Sequence, residues 1–242
     1  MPRAPRLIVL GRQGAGKGTQ CARLAARLGV RHVATGDLLR SEITARSPLG
    51  RKVEAAVSEG HLVVDDLVLD VVASCLSSRA ARTGGYLLDG FPRTVGQAEA
   101  LFEEVGPMAA DLALELHVPN QVAIPRLAAR RVCRECGTTS TARASDPAVR
   151  ACELCGGEVA RRDDDTEDAI RRRLDIYDRE SGPLLDWLES KDLLLTVDGM
   201  GRADQVQGRL LDALTARLPG AVPWSARASS GTALTVVEGM AG

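Results

Sequence analysis

Aromatic residues are scarce in this chain of 242 residues, which has two each of Trp, Tyr and Phe. The core must therefore be built from Leu, Val, Ile and Ala, within a hydrophobic share of 45%. The formal net charge is only -1 at pH 7, so the chain has no global positive field to attract nucleic acid. No apolar run approaches the roughly 18 residues that a membrane span requires.

A secretory signal is also lacking, because Met1–Arg6 leads into a very short apolar run with no cleavage-type site after it. We therefore expect a cytoplasmic protein. Four of the six cysteines fall in two Cys-x-x-Cys pairs, whereas Cys21 and Cys75 stand alone. In a reducing compartment this pattern favours metal binding over disulfides.

Short apolar runs alternate with helix-like stretches along most of the chain. Strands are predicted at 6–10, 86–90, 112–118 and 193–197, and helices at 19–28, 65–78, 94–104, 121–131, 167–190 and 202–218. This alternation predicts an α/β fold, a doubly wound and mostly parallel sheet with helices on both faces. Two stretches interrupt it: a charged, helical one at 35–63 and a turn-rich one at about 130–165.

The strongest local motif is Gly11–Thr19, GRQGAGKGT. Its glycines let successive backbone N–H groups point inward at phosphate oxygens, and the next helix adds its N-terminal dipole. Lys17 supplies a compact positive charge. Gly18 separates that lysine from the hydroxyl of Thr19, which disfavours a GTPase or motor ATPase. The alternative is a glycine-rich turn without a ligand, in which the lysine would be misplaced.

A second motif, Leu87–Thr94 or LLDGFPRT, stands where a central strand should end, the edge at which open α/β sheets bind ligands. Read alone, Phe-Pro-Arg could be a mere turn. Together with the Gly-Lys-Gly-Thr ending of the first motif, however, it resembles the adenylate kinases. The resemblance implies Mg²⁺-dependent phosphoryl transfer from ATP to AMP, giving two ADP and maintaining the adenine nucleotide balance.

The resemblance also implies the residues of both substrate sites. Those expected around ATP are Gly14, Ala15, Gly16, Lys17, Gly18, Thr19, Arg130, Thr139, Ser140 and Gly201. Those expected around AMP are Thr35, Gly36, Arg40, His61, Leu62, Val63, Gly90, Phe91, Pro92, Arg93, Gln97, Arg162 and Arg173. The implied catalytic set is Lys17, Asp89, Arg93, Arg130, Arg162, Asp164, Asp165 and Arg173.

The chemistry of these side chains suits the implied roles. A guanidinium such as that of Arg93 forks onto phosphate oxygens, and a carboxylate such as Asp89 attracts a hydrated hard cation. By resemblance, Arg130, Arg162 and Arg173 clamp the transferring phosphates, while Asp164 and Asp165 stabilise a closed lid.

Helical spacing adds two expectations. Gln97 follows Arg93 by one helical turn, and its amide can both donate and accept at an adenine edge. Arg126 and Arg130 are four apart on one predicted helix and would share a face. Arg131, Arg171 and Arg172 are expected on solvated faces, and a role for Arg126 stays open.

The cysteine pairs are Cys133-x-x-Cys136 and, after fifteen residues, Cys152-x-x-Cys155. This spacing is typical of a structural tetrathiolate Zn²⁺ site, which leaves no open position for catalysis. The insert is too small to hold a core, so the metal would supply its folding energy. It resembles the zinc-bearing lids of many bacterial adenylate kinases. A redox pair or a nucleic-acid-binding zinc ribbon is the alternative, although no aromatic residue lies between Arg130 and Asp165 to stack on bases.

We therefore expect a P-loop core of residues 1–33, 64–128 and 166–220, an AMP-binding segment at 34–63, a zinc-binding lid at 129–165 and a mobile tail at 221–242. The expected partners are ATP, AMP and ADP, without nucleic acid or membrane, and the resemblance implies a monomer. Two alternatives stay open: a related kinase with another acceptor or donor, and a zinc-ribbon nucleic-acid binder that uses its P-loop as a switch.

Overall fold

A computed structural model describes residues 4–48, 50–51, 54, 65–76, 83–106, 109–135, 139–141, 151–153, 155–161 and 166–220. Its elements in chain order are β1 (Arg6–Leu10), α1 (Lys17–Leu28), β2 (Arg31–Ala34), α2 (Thr35–Thr44), α3 (Asp65–Leu76), β3 (Tyr86–Asp89), α4 (Val95–Val105), β4 (Leu112–His117), α5 (Asn120–Ala128), β5 (Arg130–Cys133), β6 (Thr139–Thr141), β7 (Val159–Ala160), α6 (Glu167–Ser190), β8 (Leu194–Asp198) and α7 (Ala203–Arg217).

Five of the strands form a parallel sheet in the order β2-β3-β1-β4-β8, which confirms the predicted α/β fold. The central strand β1 is apolar at every position after Arg6 because helices cover both faces of the sheet. Leu7 and Val9 pack with α1 and α7 on one face. Ile8 and Leu10 pack with α3, α4 and the second half of α6 on the other.

Parallel pairing brings the carboxyl ends of the strands to one edge. β1 pairs with β3 so that Val9 lies opposite Asp89, and β2 pairs with β3 so that Ala34 lies opposite the same residue. The chain segments that follow these strands therefore begin side by side. Both sequence motifs and the start of α2 meet there.

Local signals set the bounds of several helices. α1 ends at Gly29, which adopts a left-handed conformation and donates its N–H to the Ala25 carbonyl. The hydroxyls of Thr94 and Thr166 accept backbone N–H groups at the starts of α4 and α6, at 3.2 Å in each case. The predicted strands, and the predicted helices other than the one at 121–131, agree with the described residues to within about two residues.

Two features differ from the expectations. The strand β2 was not predicted, although it forms an edge of the sheet. The helix predicted at 121–131 ends at Ala128, so Arg130 and Arg131 belong to β5. The expectation that Arg126 and Arg130 share a helical face is therefore wrong. In β5 the backbone groups of Arg130–Cys133 pair with β6 on one side and β7 on the other.

The strands β6, β5 and β7 form a separate antiparallel sheet within the stretch 130–160. Cys133, which ends β5, is buried there. Across the described ranges, no helix combines the length and the apolar character needed to cross a membrane.

Candidate active site

The loop between β1 and α1 wraps tightly against the neighbouring chain. Gly11 and Gly14 have φ values of 136° and 81°, which favour glycine. A Cβ at Gly11 would lie 2.6 Å from the Leu116 carbonyl oxygen, and one at Gly14 would lie 2.5 Å from that of Ala123. Glycine is therefore required at both positions by conformation and by space.

Lys17 lies at the start of α1 with its side chain folded back over this loop. Its Nζ donates to the carbonyl oxygens of Gly11 at 2.6 Å and Arg12 at 3.1 Å. Desolvation by burial lowers the pKa of Lys17, whereas the nearby Asp89 carboxylate raises it. An anion bound in the loop would restore favourable electrostatics for the charged ammonium.

Asp89 ends β3 and is the acidic centre of the site. Its Oδ2 lies 3.4 Å from His32 Nε2, and its carbonyl accepts the Thr35 hydroxyl at 2.9 Å. Cys21 on α1 packs behind it. Burial, followed by the Asp89 carboxylate, raises the pKa of the Cys21 thiol well above its usual value, so this thiol stays neutral.

Arg93 follows β3 in a loop that is held at both ends. Its Nε donates to the Gly90 carbonyl at 2.9 Å, and its backbone N–H donates to Oε1 of Gln97 at 2.7 Å. The guanidinium is exposed to water through the cleft, but the protein packed around it removes part of its hydration. This desolvation, followed by the charge of Arg173, lowers the pKa of Arg93.

Five arginines from five parts of the chain line one cleft of about 730 Å³: Arg40, Arg93, Arg126, Arg130 and Arg173. Arg40 forms an ion pair with Asp37 one turn earlier on α2. Arg126 Nη1 lies 3.4 Å from the Ala15 carbonyl of the P-loop. Such a concentration of cationic side chains around a glycine-rich loop suits a polyphosphate ligand.

Most predicted site residues that the structure describes line this cleft. These are Gly14, Ala15, Gly16, Lys17, Gly18, Thr19, Thr35, Gly36, Arg40, Asp89, Gly90, Phe91, Arg93, Gln97, Arg130, Thr139, Arg173 and Gly201. Pro92 lies instead against a smaller adjoining cavity, between the loop and α6. The predicted His61, Leu62, Val63, Cys136, Arg162, Asp164 and Asp165 and the side chain of Ser140 lie outside the described residues.

Comparison with known proteins finds a family model and relatives that all carry the same family name. The adenylate kinase family model matches residues 9–193. The adenylate kinase of Thermodesulfovibrio yellowstonii is 43% identical over 204 residues, 83% of this chain and 94% of that protein. Those of Clostridium novyi and Streptomyces avermitilis are 41% identical over 204 residues and 38% identical over 213, and the alignments cover 94% and 96% of the two relatives.

The chain belongs to the adenylate kinase family. Its cleft contains further residues that the sequence motifs did not indicate. Leu39 and Val68 place an apolar surface beside Arg40, and Gly199, Ala203 and Val206 place another beside Gly201. Gln20 joins the second group, since its Nε2 donates to the Ala203 carbonyl at 2.9 Å. Aliphatic residues carry no motif, so the only sequence signal was their position next to predicted contacts.

The small antiparallel sheet of this family member brings three thiols together. The sulfur atoms of Cys133, Cys152 and Cys155 lie within 4.8 Å of one another, and those of Cys133 and Cys155 are 3.4 Å apart. A tetrahedral Zn²⁺ with Zn–S bonds of about 2.3 Å would hold sulfurs about 3.8 Å apart. These thiols therefore fit three ligands of the predicted zinc site.

Arg12 ties the phosphate loop to two helices. Its Nη2 lies 3.1 Å from Asp178 Oδ1 on α6, its Nη1 donates to Asn120 Oδ1 on α5, and its guanidinium lies 5.5 Å from the centroid of the Tyr177 ring. Burial raises the pKa of Tyr177 to about 12, so the ring stays neutral beside the cation. Asn120 also donates to Asp178, at 3.1 Å, which closes the network.

We expect Arg12→Ala to lower the free energy of unfolding by about 1–2 kcal/mol, a modest value because Asp178 is partly exposed. Urea denaturation followed by circular dichroism would measure it, and a double-mutant cycle with Asp178→Ala would isolate the ion pair. The control is Arg171→Ala, which removes an exposed i,i+4 pair with Glu167 and should change stability by less than about 0.5 kcal/mol. Equal losses for the two arginine variants would contradict the anchoring role.

Proposed function

We propose that this cleft carries out the reversible transfer of a phosphoryl group from ATP to AMP, giving two ADP. As a family member at 38–43% identity to the relatives described above, the chain is a phosphotransferase with a phosphate group as acceptor. The observation that carries the assignment of residues is the convergence of Lys17, Arg93 and Arg130 on one cleft.

The donor half of the cleft would hold ATP. The amides of the loop Gly14–Thr19 and the Lys17 ammonium face the phosphates, while Thr139 and Gly201, with Ser140 next in sequence, belong to the adenine end. The aliphatic group beside Gly201 offers this base a nonpolar contact. Because Thr139 has no aromatic ring to stack on the base, adenine would be held by aliphatic packing and backbone contacts.

Magnesium would be held with ATP at the Asp89 side of the loop. The carboxylate of Asp89 and the hydroxyl of Thr19 both line the cleft, and oxygen ligands of this kind suit a hard, hydrated cation. When bound, the ion neutralises charge on the phosphate oxygens of the nucleotide.

The acceptor half would hold AMP on the side of α2 and α4. The guanidinium of Arg93 and that of Arg40 orient its phosphate, and Leu39 and Val68 offer a nonpolar surface to its base. Gln97 lines the cleft, and its Oε1 accepts a hydrogen bond from the backbone N–H of Arg93. Gln97 therefore also fixes the loop that carries Arg93.

In the reaction, an oxygen of the AMP phosphate forms a bond to the γ-phosphorus as the bond from that phosphorus to the bridging oxygen of ADP breaks. The attacking phosphate oxygen is already ionised, so no protein base is needed. Arg130 and Arg173, together with Arg162, would neutralise charge on the transferring group. Closure of the cleft excludes water and so suppresses ATP hydrolysis.

We also propose that two segments of the chain have separate roles. Residues 34–63 form the AMP-binding segment, and 129–165 form a lid in which Cys133, Cys136, Cys152 and Cys155 bind a structural Zn²⁺; the small separate sheet and the three clustered thiols support this. Asp164 and Asp165 would stabilise the closed lid. We also propose that the enzyme is a cytoplasmic monomer, as the family resemblance implies, and that it acts without nucleic acid. The net charge of -1 supports the last point, because it gives no positive field to attract nucleic acid.

The acceptor assay tests the proposed reaction. Purified full-length protein is given Mg²⁺-ATP with AMP, GMP, CMP or UMP, and ADP formation is followed in a coupled assay. We expect transfer to AMP at least about a hundredfold faster than to the others, because the amide of Gln97, proposed at the adenine edge, would pair poorly with the edge of another base. Activity with another acceptor would keep the mechanism and overturn AMP specificity. No transfer at all from folded, zinc-loaded protein would overturn the kinase assignment.

A further inference from the structure

A second group of metal-ligating side chains lies behind the phosphate loop, outside the cysteine cluster. Cys21 on α1, His32 on β2 and Asp89 at the end of β3 bring a sulfur, a ring nitrogen and a carboxylate oxygen within 4.8 Å of one another. The His32 Nε2 and Asp89 Oδ2 atoms are 3.4 Å apart. The three residues come from three different elements, so the sheet register and the packing of α1 create the group.

The distance between the His32 and Asp89 atoms matches that between two ligands of a tetrahedral zinc site. With Zn–N and Zn–O bonds of about 2.0–2.2 Å, two ligand atoms at the tetrahedral angle lie about 3.3–3.5 Å apart. The sulfur of Cys21 lies within 4.8 Å of both atoms and would move closer to complete the ligand set. We propose that Cys21, His32 and Asp89 form a second, three-ligand site for Zn²⁺ or a similar thiophilic divalent cation. The Cys21 thiol, neutral without the ion, would release its proton to water as the metal–sulfur bond forms.

Exposure determines how the ion would enter. Cys21 is 1% exposed, whereas the side chains of His32 and Asp89 are 26% and 12% exposed. Asp89 lines the cleft and Cys21 lies behind it. The ion therefore enters past the carboxylate, and its fourth position faces the cleft, where it takes water or a phosphate oxygen.

Occupancy of this site would inhibit the enzyme. The carboxylate of Asp89 is proposed above to serve the magnesium that accompanies ATP, and a tightly bound Zn²⁺ would withdraw it. The ion would also bring a divalent positive charge near Lys17, whose ammonium interacts with Asp89. The inhibition rests on the proposed function, but binding of the metal does not.

The binding experiment uses full-length protein already holding one Zn²⁺ in its four-cysteine site, titrated with more Zn²⁺ against a chromophoric chelator. Wild type should bind a second equivalent. Cys21→Ala and His32→Gln should weaken that second binding by at least about a hundredfold, since each removes a direct ligand. Cys75→Ala is the control, because this half-buried thiol on α3 is outside the group.

Co²⁺ gives an independent signature. Added as the second equivalent, it should produce a thiolate-to-metal charge-transfer absorption in wild type and in Cys75→Ala, but not in Cys21→Ala. Loss of the buried Cys21 sulfur could disturb folding, which circular dichroism would reveal. In that case His32→Gln tests the same prediction, because it changes a partly exposed position. A single equivalent in wild type, or a second equivalent that persists in both ligand variants, would overturn the site.

The activity arm measures transfer at fixed free Zn²⁺, set by a metal buffer in the presence of excess Mg²⁺-ATP. Wild type and Cys75→Ala should lose activity about tenfold or more, and a chelator should restore it. Cys21→Ala and His32→Gln should keep their rates at the same free Zn²⁺. A second bound ion without any loss of rate would leave the site standing and overturn its inhibitory role. If the protein transfers no phosphoryl group at all, the binding arm still decides the site.

Discussion

Arg93→Met is expected to lower kcat/KM for AMP by about three orders of magnitude, within the range that a phosphate-binding guanidinium contributes to phosphoryl transfer. The structure gives the reason. The guanidinium stands in the cleft near Arg173 and Arg40, and its loop is fixed through Gly90 and Gln97. It is therefore oriented before substrate arrives, and its loss removes both charge and orientation.

The conservative variant separates these two contributions. Arg93→Lys keeps the charge but loses the planar fork, so it should recover only part of the activity, about tenfold over Arg93→Met. Binding of ATP alone, measured by calorimetry, should change little in either variant, because the donor phosphates are proposed to lie on the Lys17 side. Steady-state kinetics over a range of AMP concentrations provide the readout.

Arg171→Met is the matched control, since Arg171 lies on α6 two residues before Arg173 and pairs with Glu167 at the exposed surface. This variant should keep essentially full activity. If Arg93→Met loses less than tenfold, or if Arg171→Met loses as much, the placement of the acceptor phosphate at Arg93 is wrong.

Sequence patterns were most informative where short motifs define backbone geometry. Gly11 and Gly14 are required by space and conformation, so the motif that contains them predicts the tight loop between β1 and α1 directly. The strand β1 could be predicted from its unbroken apolar run for a similar reason. Its residues are buried on both faces of the sheet, so only apolar residues fit there.

The edge strand β2 could not be recognised in this way. Arg31–Ala34 is short, Arg31 is exposed and only Val33 is buried, so the segment lacks a periodic apolar pattern. Its strand conformation comes from pairing with β3, a contact between residues more than 50 positions apart in sequence. Sequence periodicity does not report such tertiary pairing.

The local structure of Arg130, a residue of the site itself, could not be predicted from sequence periodicity either. The residues from 121 to 131 continue a helical pattern, yet the helix ends at Ala128 and the strand β5 begins at Arg130. Pairing with β6 and β7 on both sides outweighs helix propensity there. Arg130 still lines the cleft, so its predicted participation stays a proposal, now with a different local structure.

The start of β5 also connects the cysteine cluster with the active site. Arg130 opens the strand and Cys133 ends it, so one short element carries both a cleft arginine and a proposed zinc ligand. Cys133 and Cys152 are buried, but the hydrophobic clusters among the described residues belong to the main sheet and to the contact between α5 and α6. The position of Arg130 should therefore depend on the metal.

Cys152→Ser is expected to abolish tight zinc binding in the lid and to lower the transfer rate by at least about tenfold. Structural zinc sites supply roughly 10–16 kcal/mol of apparent binding energy to small domains, far more than so small a sheet can gain from packing. The lid sheet should lose its structure while the five-stranded core stays folded. Arg130 would then no longer be held against the transferring phosphate.

Three measurements separate this outcome from general unfolding. Elemental analysis should find one fewer zinc per chain, limited proteolysis should cut first within residues 129–165, and the far-ultraviolet circular dichroism of the core should be nearly unchanged. Cys75→Ser is the control for replacing a cysteine outside the cluster, and it should keep both zinc and activity. Full activity in a metal-free Cys152→Ser protein would show that the lid arginines are positioned without zinc, because the strand β5 would then be stable through its own pairing with β6 and β7.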